Sequence, residues 1–174
     1  SLMVVSLSSF LRKVLELDPL RDLTLAEEVA LETEYLRIEQ ERFSDRMSVS
    51  LQIPRELGDA LVPSLILQPL IENAIKHGLH FSSGFLKITI AAAQKGETLV
   101  LFIDNVTQAP MPFHTAPRSD LGIGLANVEQ RIRARFPQMG SLIAGPISPT
   151  HFRATLTMPL RTAKRPDTSS ELAS

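Results

Sequence analysis

An apolar stretch of the sequence, LQPLIENAIKHGL at residues 67–79, carries a carboxylate, an amide, an amine and an imidazole close together. These groups belong to Glu72, Asn73, Lys76 and His77. Asn73, Lys76 and His77 are spaced three and four residues apart, so they share one side of a helix. An amide oxygen is a hard ligand that suits Mg²⁺, and a neighbouring lysine suits a phosphate. The same spacing also fits an ordinary solvated helix face that ends at Gly78.

A second candidate group is Asp104, which ends the apolar run LVLFID. The pattern predicts a strand whose end faces a helix, where open α/β folds commonly hold ligands. A carboxylate at that position can accept a hydrogen bond from an exocyclic amine. The pair Asp104-Asn105 also suits a simple turn, so the residue alone leaves both interpretations open.

The third candidate is the segment Gly122-Ile123-Gly124, which precedes a predicted helix. Glycines allow a ligand to approach the backbone closely, and a helix N-terminus offers free N–H groups and a positive dipole end to a phosphate. A plain loop-to-helix turn explains the same residues. Asn127, in the first turn of that helix, is open to both interpretations.

The elements that must position these groups follow from hydrophobic periodicity. Helices are predicted over 6–17, 24–43, 63–79 and 125–136, and strands over 47–53, 85–93, 98–105, 141–147 and 152–160. Thr24 and Glu27 form a capping-box pattern at the second helix. Pro69 predicts a kink or a late start in the third. Residues 106–120 show no period and are predicted to form a long loop.

This order of elements predicts a two-layer α/β sandwich, in which helices cover one face of a mixed sheet and further helices precede it. The 174 residues suffice for one domain, and 44% hydrophobic residues for its core. A net charge of −1 without charged blocks gives no reason to expect direct nucleic-acid binding. The absence of cysteine excludes a disulfide framework and a thiolate metal site.

Taken together and in this order, the motifs resemble those of LytS-type sensor histidine kinases. L-Q-P-L-I-E-N-A-I-K-H-G resembles the N box of that family, and G-I-G-L-A-N-V resembles its second glycine box. Asp104-Asn105 lies where the first glycine box begins. The upstream segment TLAEEVALETEYLRIEQERFSDR resembles the helix that connects the dimerisation and catalytic parts. The resemblance covers about residues 7–160.

The resemblance implies a GHKL-type (Bergerat) ATP-binding fold, with ATP and Mg²⁺ as cofactors. Asn73 would coordinate Mg²⁺, Lys76 and His77 would lie near the phosphates, and Asp104 would accept the adenine amino group. Glu72 would help to polarise a nucleophile, or would serve as a cap or in a salt bridge. The phosphate end and lid hinge would be formed by Gly122, Gly124, Leu125 and Asn127.

The same resemblance divides the chain and implies its partners. Residues 1–43 would be the end of the dimerisation and connecting helices, 44–160 the catalytic domain and 161–174 a disordered tail. The full-length protein would be a homodimer with membrane spans, and this part would lie in the cytoplasm. Its phosphate would pass to a response regulator, commonly of the LytTR type, through an acceptor histidine located before residue 1.

Two positions depart from the family pattern. Val106 stands where the family usually has the glycine of D-N-G-x-G, and His151-Phe152 stand where it usually has G-T near the last strand. These departures favour an alternative, a Bergerat-fold module that has lost nucleotide and signals by protein contacts. Another GHKL-type ATPase, or an anti-sigma serine kinase, is disfavoured by the connecting helix.

Overall fold

The computed structural model describes residues 2–80, 84–110 and 122–163. The helices are α1 (Leu2–Glu16), α2 (Leu25–Phe43), α3 (Gln68–His80) and α4 (Ile123–Arg135). The strands are β1 (Asp22–Thr24), β2 (Met47–Gln52), β3 (Leu61–Pro63), β4 (Leu86–Lys95), β5 (Thr98–Thr107), β6 (Ser141–Ser148) and β7 (His151–Pro159). The predicted α/β class, and a mixed sheet with helices on one face, are confirmed.

Five strands form the main sheet in the order β2-β4-β5-β7-β6. Strand β2 runs parallel to β4, and the other neighbouring pairs are antiparallel. Strands β4 and β5 form a hairpin whose tight turn uses Gly96 at a φ of 59°. Both hairpin strands are two residues longer at their C-terminal ends than predicted, so Val106 and Thr107 belong to β5. Residues 111–120 of the predicted loop lie outside the described residues.

The core lies between the sheet and helices α3 and α4, on what we call the inner face of the sheet. Successive strand side chains point to opposite faces, and alternate residues Leu99, Leu101 and Ile103 of β5 are fully buried in this core. From β7, Ala154, Leu156 and Met158 join them. The opposite, outer face carries the residues in between.

Helix α2 begins as the sequence predicts. The Thr24 backbone N–H donates to Glu27 Oε2 at 2.8 Å, and the Glu27 N–H donates to Thr24 Oγ1 at 3.2 Å, which completes the capping box. Helix α1 packs on α2 through Phe10, whose ring centroid lies 5.5 Å from that of Tyr35. The two helices form a small apolar cluster that is separate from the main core.

Helix α3 starts late, as Pro69 indicates, because the helix begins at Gln68 and the proline falls in its first turn. Pro63, predicted to open this helix, lies in β3. Gly78 is inside α3 and does not end it. A Cβ built on Gly78 would lie 2.4 Å from Leu86 Cδ1, so glycine allows the helix to approach β4 closely.

Two features were not predicted. Strands β1 and β3 form a separate antiparallel pair beside the N-terminus of α2. The disordered tail was predicted from residue 161; residues 161–163 belong to the described structure, and residues 164–174 lie outside it. The Leu61 N–H donates to Arg161 O at 2.7 Å, and Arg161 Nη1 donates to Asp22 Oδ2 at 2.7 Å. These bonds join distant parts of the chain, so local composition does not reveal them.

Candidate functional site

The polar face of α3 carries Glu72, Asn73, Lys76 and His77. Asn73 is half-buried, whereas Glu72, Lys76 and His77 are exposed. The Gln68 Nε2 donates to Glu72 Oε1 at 2.9 Å, a bond along the same helix. On the other side of α3, Leu70, Ile71 and Ala74 are buried and fix the helix on the sheet. The helix therefore presents its amide, amine and imidazole from a rigid support.

A groove between α2 and α3 is lined by two of these four polar residues and not by the other two. Its lining residues are Tyr35, Glu39, Arg42, Phe43, Arg46, Glu72, Ile75, Lys76 and Leu79. Glu72 and Lys76 thus face α2, whereas Asn73 and His77, one turn apart, are not among the residues that line this groove. Lys76 lines the groove and also adjoins Asn73 and His77 on the helix surface. Its long side chain can reach towards the groove or towards those two residues.

The first turn of α4 lies beside the first turn of α3. A Cβ built on Gly124 would lie 3.7 Å from Pro69 Cβ. Gly122 is the N-cap residue and supplies no side chain to the helix end, and its carbonyl accepts from Leu125 N at 2.9 Å. Leu125 is buried and anchors this turn, while Asn127 is exposed. An uncapped helix start next to α3 suits an anionic ligand group.

Asp104 does not face α3, which corrects the expectation that it would accept a ligand's amine there. Its neighbour Ile103 points into the core, so the alternation of β5 directs Asp104 to the outer face. There Arg153 donates to both carboxylate oxygens, from Nε at 2.7 Å and from Nη2 at 2.9 Å. His151 Nε2 lies 3.0 Å from Oδ1. The carboxylate is thus fully engaged by β7.

The surroundings of Asp104 favour its charged form. Burial alone raises the pKa of this carboxyl, but hydrogen bonds from Arg153 and His151 outweigh it and hold the pKa below its usual value. The guanidinium carbon of Arg153 lies 4.9 Å from the centre of the Phe102 ring on the same face. This cluster is a structural ion pair that ties β5 to β7.

The residue that sequence reasoning missed is Asn105, which occupies the inner-face position at the end of β5. It is 1% exposed, and its Nδ2 donates to Ala74 O of α3 at 3.5 Å. Ala74 follows Asn73 directly, so Asn105 lies at the seam between β5 and the polar helix. The signal was present in the sequence. Continuing the apolar alternation of Leu99, Leu101 and Ile103 leads to residue 105, not to 104.

The two departures from the family pattern lie on opposite faces. Phe152 is the register partner of Asn105 in β7 and shares the inner face with Ala154. Val106 pairs with His151 on the outer face and continues the strand. Among the described non-glycine residues only Leu65 has a positive φ, so Val106 is not forced into a glycine-like conformation.

The sequence of this chain is similar to those of known histidine kinases. A family model described as histidine kinase matches residues 1–47. The sensor histidine kinase BtsS of Escherichia coli K12 is 35% identical over 161 residues, which are 92% of this chain and 28% of BtsS. The sensor protein LytS of Oceanobacillus iheyensis is 34% identical over 140 residues, 74% of this chain and 24% of LytS.

This chain belongs to the LytS-like sensor histidine kinases. The fold of this chain is similar to that of the catalytic domain of histidine kinase ThkA, with a TM-score of 0.58 at 16% sequence identity. The match covers 80% of this chain and 95% of the ThkA chain. ThkA in complex with the response regulator protein TrrA gives 0.55 at 17% identity, covering 93% and 49%. The chain spans about a quarter of the length of the sensor kinases it matches.

Within residues 2–80, 84–110 and 122–163, no helix combines the length and the apolar character needed to cross a bilayer. Nor do three or more histidine, aspartate or glutamate side chains come together there as a metal site.

Proposed function

We propose that this chain binds Mg²⁺–ATP and transfers the γ-phosphate to a histidine located upstream in a longer sensor kinase. The observation that carries the proposal is the meeting of three elements on one side of the sheet. The polar face of α3 lies beside the uncapped start of α4, and Asn105 closes the seam between α3 and β5. Amide, amine, imidazole and free helix N–H groups suit a magnesium-bound triphosphate.

In this proposal Asn73 supplies a single amide oxygen to the cation. One neutral ligand fits Mg²⁺, which commonly keeps water and substrate phosphates as its other ligands. Lys76 would place a positive charge near the phosphates, with His77 beside it. When bound, Mg²⁺–ATP supplies the phosphoryl group and neutralises the charge that develops during transfer. The residues of α3 hold and orient it.

Glu72 has a less direct role in the proposal. Its carboxylate is tied to Gln68 and faces the groove toward α2, on the side from which the upstream helices enter the domain. A carboxylate there can orient an incoming imidazole and accept its proton. Because Gln68 donates to Oε1 of Glu72, we assign the contact with the imidazole to Oε2.

The base end of the site belongs to Asn105 in this proposal and not to Asp104. Asn105 faces α3, whereas Asp104 is held by Arg153 on the outer face. An amide offers an acceptor for the exocyclic amine of adenine, as a carboxylate does, and also offers donors. Gly122, Gly124, Leu125 and Asn127 would form the phosphate end and lid hinge, with Leu125 as the buried anchor.

The proposal extends to partners. A response regulator, commonly with a LytTR domain, would receive the phosphate, and the fold shared with ThkA in its TrrA complex supports a regulator as partner. A homodimer would form through α1 and the helices that precede it. Leu2, Val5 and Leu15 of α1 are 84%, 67% and 84% exposed, an apolar surface that pairing would cover. The longer protein would be a membrane sensor with this part in the cytoplasm.

A second candidate function is a Bergerat-fold module that has lost nucleotide and signals through protein contacts. The phenylalanine at position 152, the register partner of Asn105 on the inner face, favours it. This observation concerns the base end of the site. The two candidate functions do not differ in the arrangement of the α3 residues.

Calorimetric titration with ATP and Mg²⁺ distinguishes the two candidates. The proposal expects binding that Asn73→Ala weakens by about tenfold or more, about 1.4 kcal/mol, since the cation then loses its protein ligand. Gln130→Ala, an exposed change on α4, is the matched control and leaves the affinity unchanged. Absence of binding at millimolar ATP in the wild-type chain favours the protein-contact module.

A further inference from the structure

The segment that leads into α3, residues 64–67, is held by the N-terminal part of the chain. We call it the junction segment. It follows β3 and ends where α3 begins at Gln68. Each of its contacts described below reaches back to residues between 10 and 38, which form the α1–α2 hairpin and the turn between the two helices. The junction segment therefore joins the connecting helices to the helix that carries Asn73.

The principal contact is made by Glu28 of α2. Its Oε2 accepts from Leu65 N at 2.9 Å, and its Oε1 accepts from Leu67 N at 3.0 Å. Glu28 is completely buried, so water does not compete for these N–H groups. Burial raises the pKa of the Glu28 carboxyl, and the bonds from the backbone N–H groups act against that rise because they favour its charged form. Both N–H groups lie just before the start of α3.

Leu65 is held in a strained conformation between these bonds. Its φ is 59°, in the left-handed region that costs a leucine roughly 1–2 kcal/mol. The backbone turn directs its side chain against the apolar cluster of α1 and α2, which contains Phe10, Leu31 and Ile38. Strained residues persist where their surroundings over-determine them. Here the Glu28 bond and the cluster fix the backbone and the side chain of the same residue.

Ser64 adds a third attachment. Its backbone N–H donates to Arg21 O at 3.1 Å, and its hydroxyl donates to Asp18 O at 3.0 Å. Ser64 is fully buried. Asp18 and Arg21 lie in the turn between α1 and α2. The junction segment is thus bound to both ends of that turn as well as to α2 itself.

We propose that Glu28 is a positioning residue through which α2 sets the place of α3, and hence of Asn73 and Lys76. The inference rests on the proposed function for its effect on nucleotide, but its structural part stands independently. A helix moves as a rigid body, and the Ile71 N–H already donates to Leu67 O at 3.0 Å. A displacement of α2 would therefore pass through Glu28 to the first turn of α3, and to Asn73 in the next turn.

Hydrogen–deuterium exchange of the full chain without nucleotide tests the structural part. Glu28→Gln keeps one acceptor oxygen and replaces the other with an amide NH2 group, which only donates, so one N–H group of the junction segment loses its partner. Exchange of the amides of residues 65–72 is expected to quicken by about tenfold, which corresponds to about 1.4 kcal/mol, the order of one hydrogen bond. Amides within α2 keep their protection.

Two matched variants separate the bonds from burial and charge. Glu32→Gln changes a second buried carboxyl one turn further along α2, which makes no hydrogen bond to the junction segment among the described residues. Glu41→Gln removes an exposed charge from the same helix. Neither should raise exchange at residues 65–72 above the wild-type rate. An equal increase with Glu32→Gln, or no increase with Glu28→Gln, overturns the proposal.

Glu28→Asp covers the case in which the glutamine variant does not fold. It keeps the carboxyl group but is one methylene shorter, so its oxygens cannot span both N–H groups, and the same increase is expected. A parallel titration with Mg²⁺–ATP should show weaker binding for the Glu28 variants and unchanged binding for Glu41→Gln. If the wild type binds no ATP while Glu28→Gln loosens residues 65–72, the proposed function fails and the positioning role stands.

Discussion

Asp104 and Arg153 lie opposite each other in the register of β5 and β7, and the guanidinium donates to both oxygens of the carboxylate. The pair occupies the outer face of the sheet, away from α3. This relationship removes Asp104 from the ligand site that its sequence position suggested. It also makes the residue a contributor to the stability of the sheet.

Asp104→Asn is therefore expected to affect stability and not nucleotide binding. The substitution loses one charge-assisted bond to Arg153, and since Arg153 is 37% exposed, water partly replaces it. A decrease of about 1–2 kcal/mol in the free energy of unfolding is expected from urea titration. ATP affinity should stay within about twofold, well under the tenfold that 1.4 kcal/mol represents. A loss of ATP affinity without a change in the free energy of unfolding would show that Asp104 contacts the base.

The pH dependence of this effect has a definite sign. The pKa of Asp104 is lowered in the folded chain, so its stabilisation is present above the usual pKa of 3.8 and is lost as the pH falls through the folded value. Unfolding measured at pH 7 should separate Asp104→Asn from the wild type, and the difference should shrink below pH 4. A constant difference across this range would exclude the ion pair as its cause.

Asn105→Ala, unlike Asp104→Asn, is expected to weaken ATP binding. The residue is buried beside Ala74 on the inner face, and its removal takes away the polar group assigned to the base. ATP affinity should fall by about tenfold, while affinity for inorganic triphosphate, which has no base, should not change. Equal losses for both ligands would indicate that Asn105 supports α3 and does not contact the base.

Local signals predicted most of the fold, and long-range contacts explain what they missed. The capping box at Thr24 and the late start of α3 at Pro69 depend on residues that are close in sequence. The five strands of the main sheet were likewise predicted from local hydrophobic patterns and turn signals. The bonds of Glu28 to Leu67 and of Arg161 to Asp22 join residues that are 39 and 139 positions apart, so no local pattern announces them.

The arrangement of the candidate residues was predictable to the same extent. The α3 residues were placed together correctly because helical spacing is a local pattern, and their part in binding ATP stays a prediction. Asp104 was misplaced because its type was read without the strand's alternation, and a shift of one residue moves a side chain to the other face. Residue chemistry alone therefore favoured a carboxylate over the amide of Asn105.

Gly78→Ala tests the close approach of α3 to β4. Alanine favours a helix over glycine by about 1 kcal/mol, so an unconstrained site would be stabilised. Here the new Cβ would lie 2.4 and 2.8 Å from the two Cδ atoms of Leu86, which is fully buried and has little room to move. We expect a net loss of about 1–3 kcal/mol in urea unfolding. Gly145→Ala, where nothing lies within 4 Å of the added Cβ, is the control. Stabilisation by Gly78→Ala would show that α3 can shift.

Glu32 should make the folded chain less stable as the pH rises. It is completely buried, and neither carboxyl oxygen has a hydrogen-bond partner among the described residues. Burial raises its pKa from 4.5 to about 9, and the nearby carboxyls of Glu28 and Glu72 add to the shift. Between these values the folded chain holds a proton that the unfolded chain releases. Stability therefore falls with rising pH in this window, by up to about 1.4 kcal/mol per unit.

Glu32→Gln removes this titration while keeping the size and polarity of the side chain. The variant is expected to be more stable than the wild type at pH 8, by on the order of a few kcal/mol, and to match it near pH 5. Urea unfolding at both values measures the difference, with the exposed Glu41→Gln as control. The comparison depends on Glu32 being protonated within the fold, because only a group that is neutral when folded and charged when unfolded gives stability this slope. Equal stabilisation at pH 5 and pH 8 would mean that Glu32 keeps its charge inside the protein, and that water or a cation reaches it between α2 and α3.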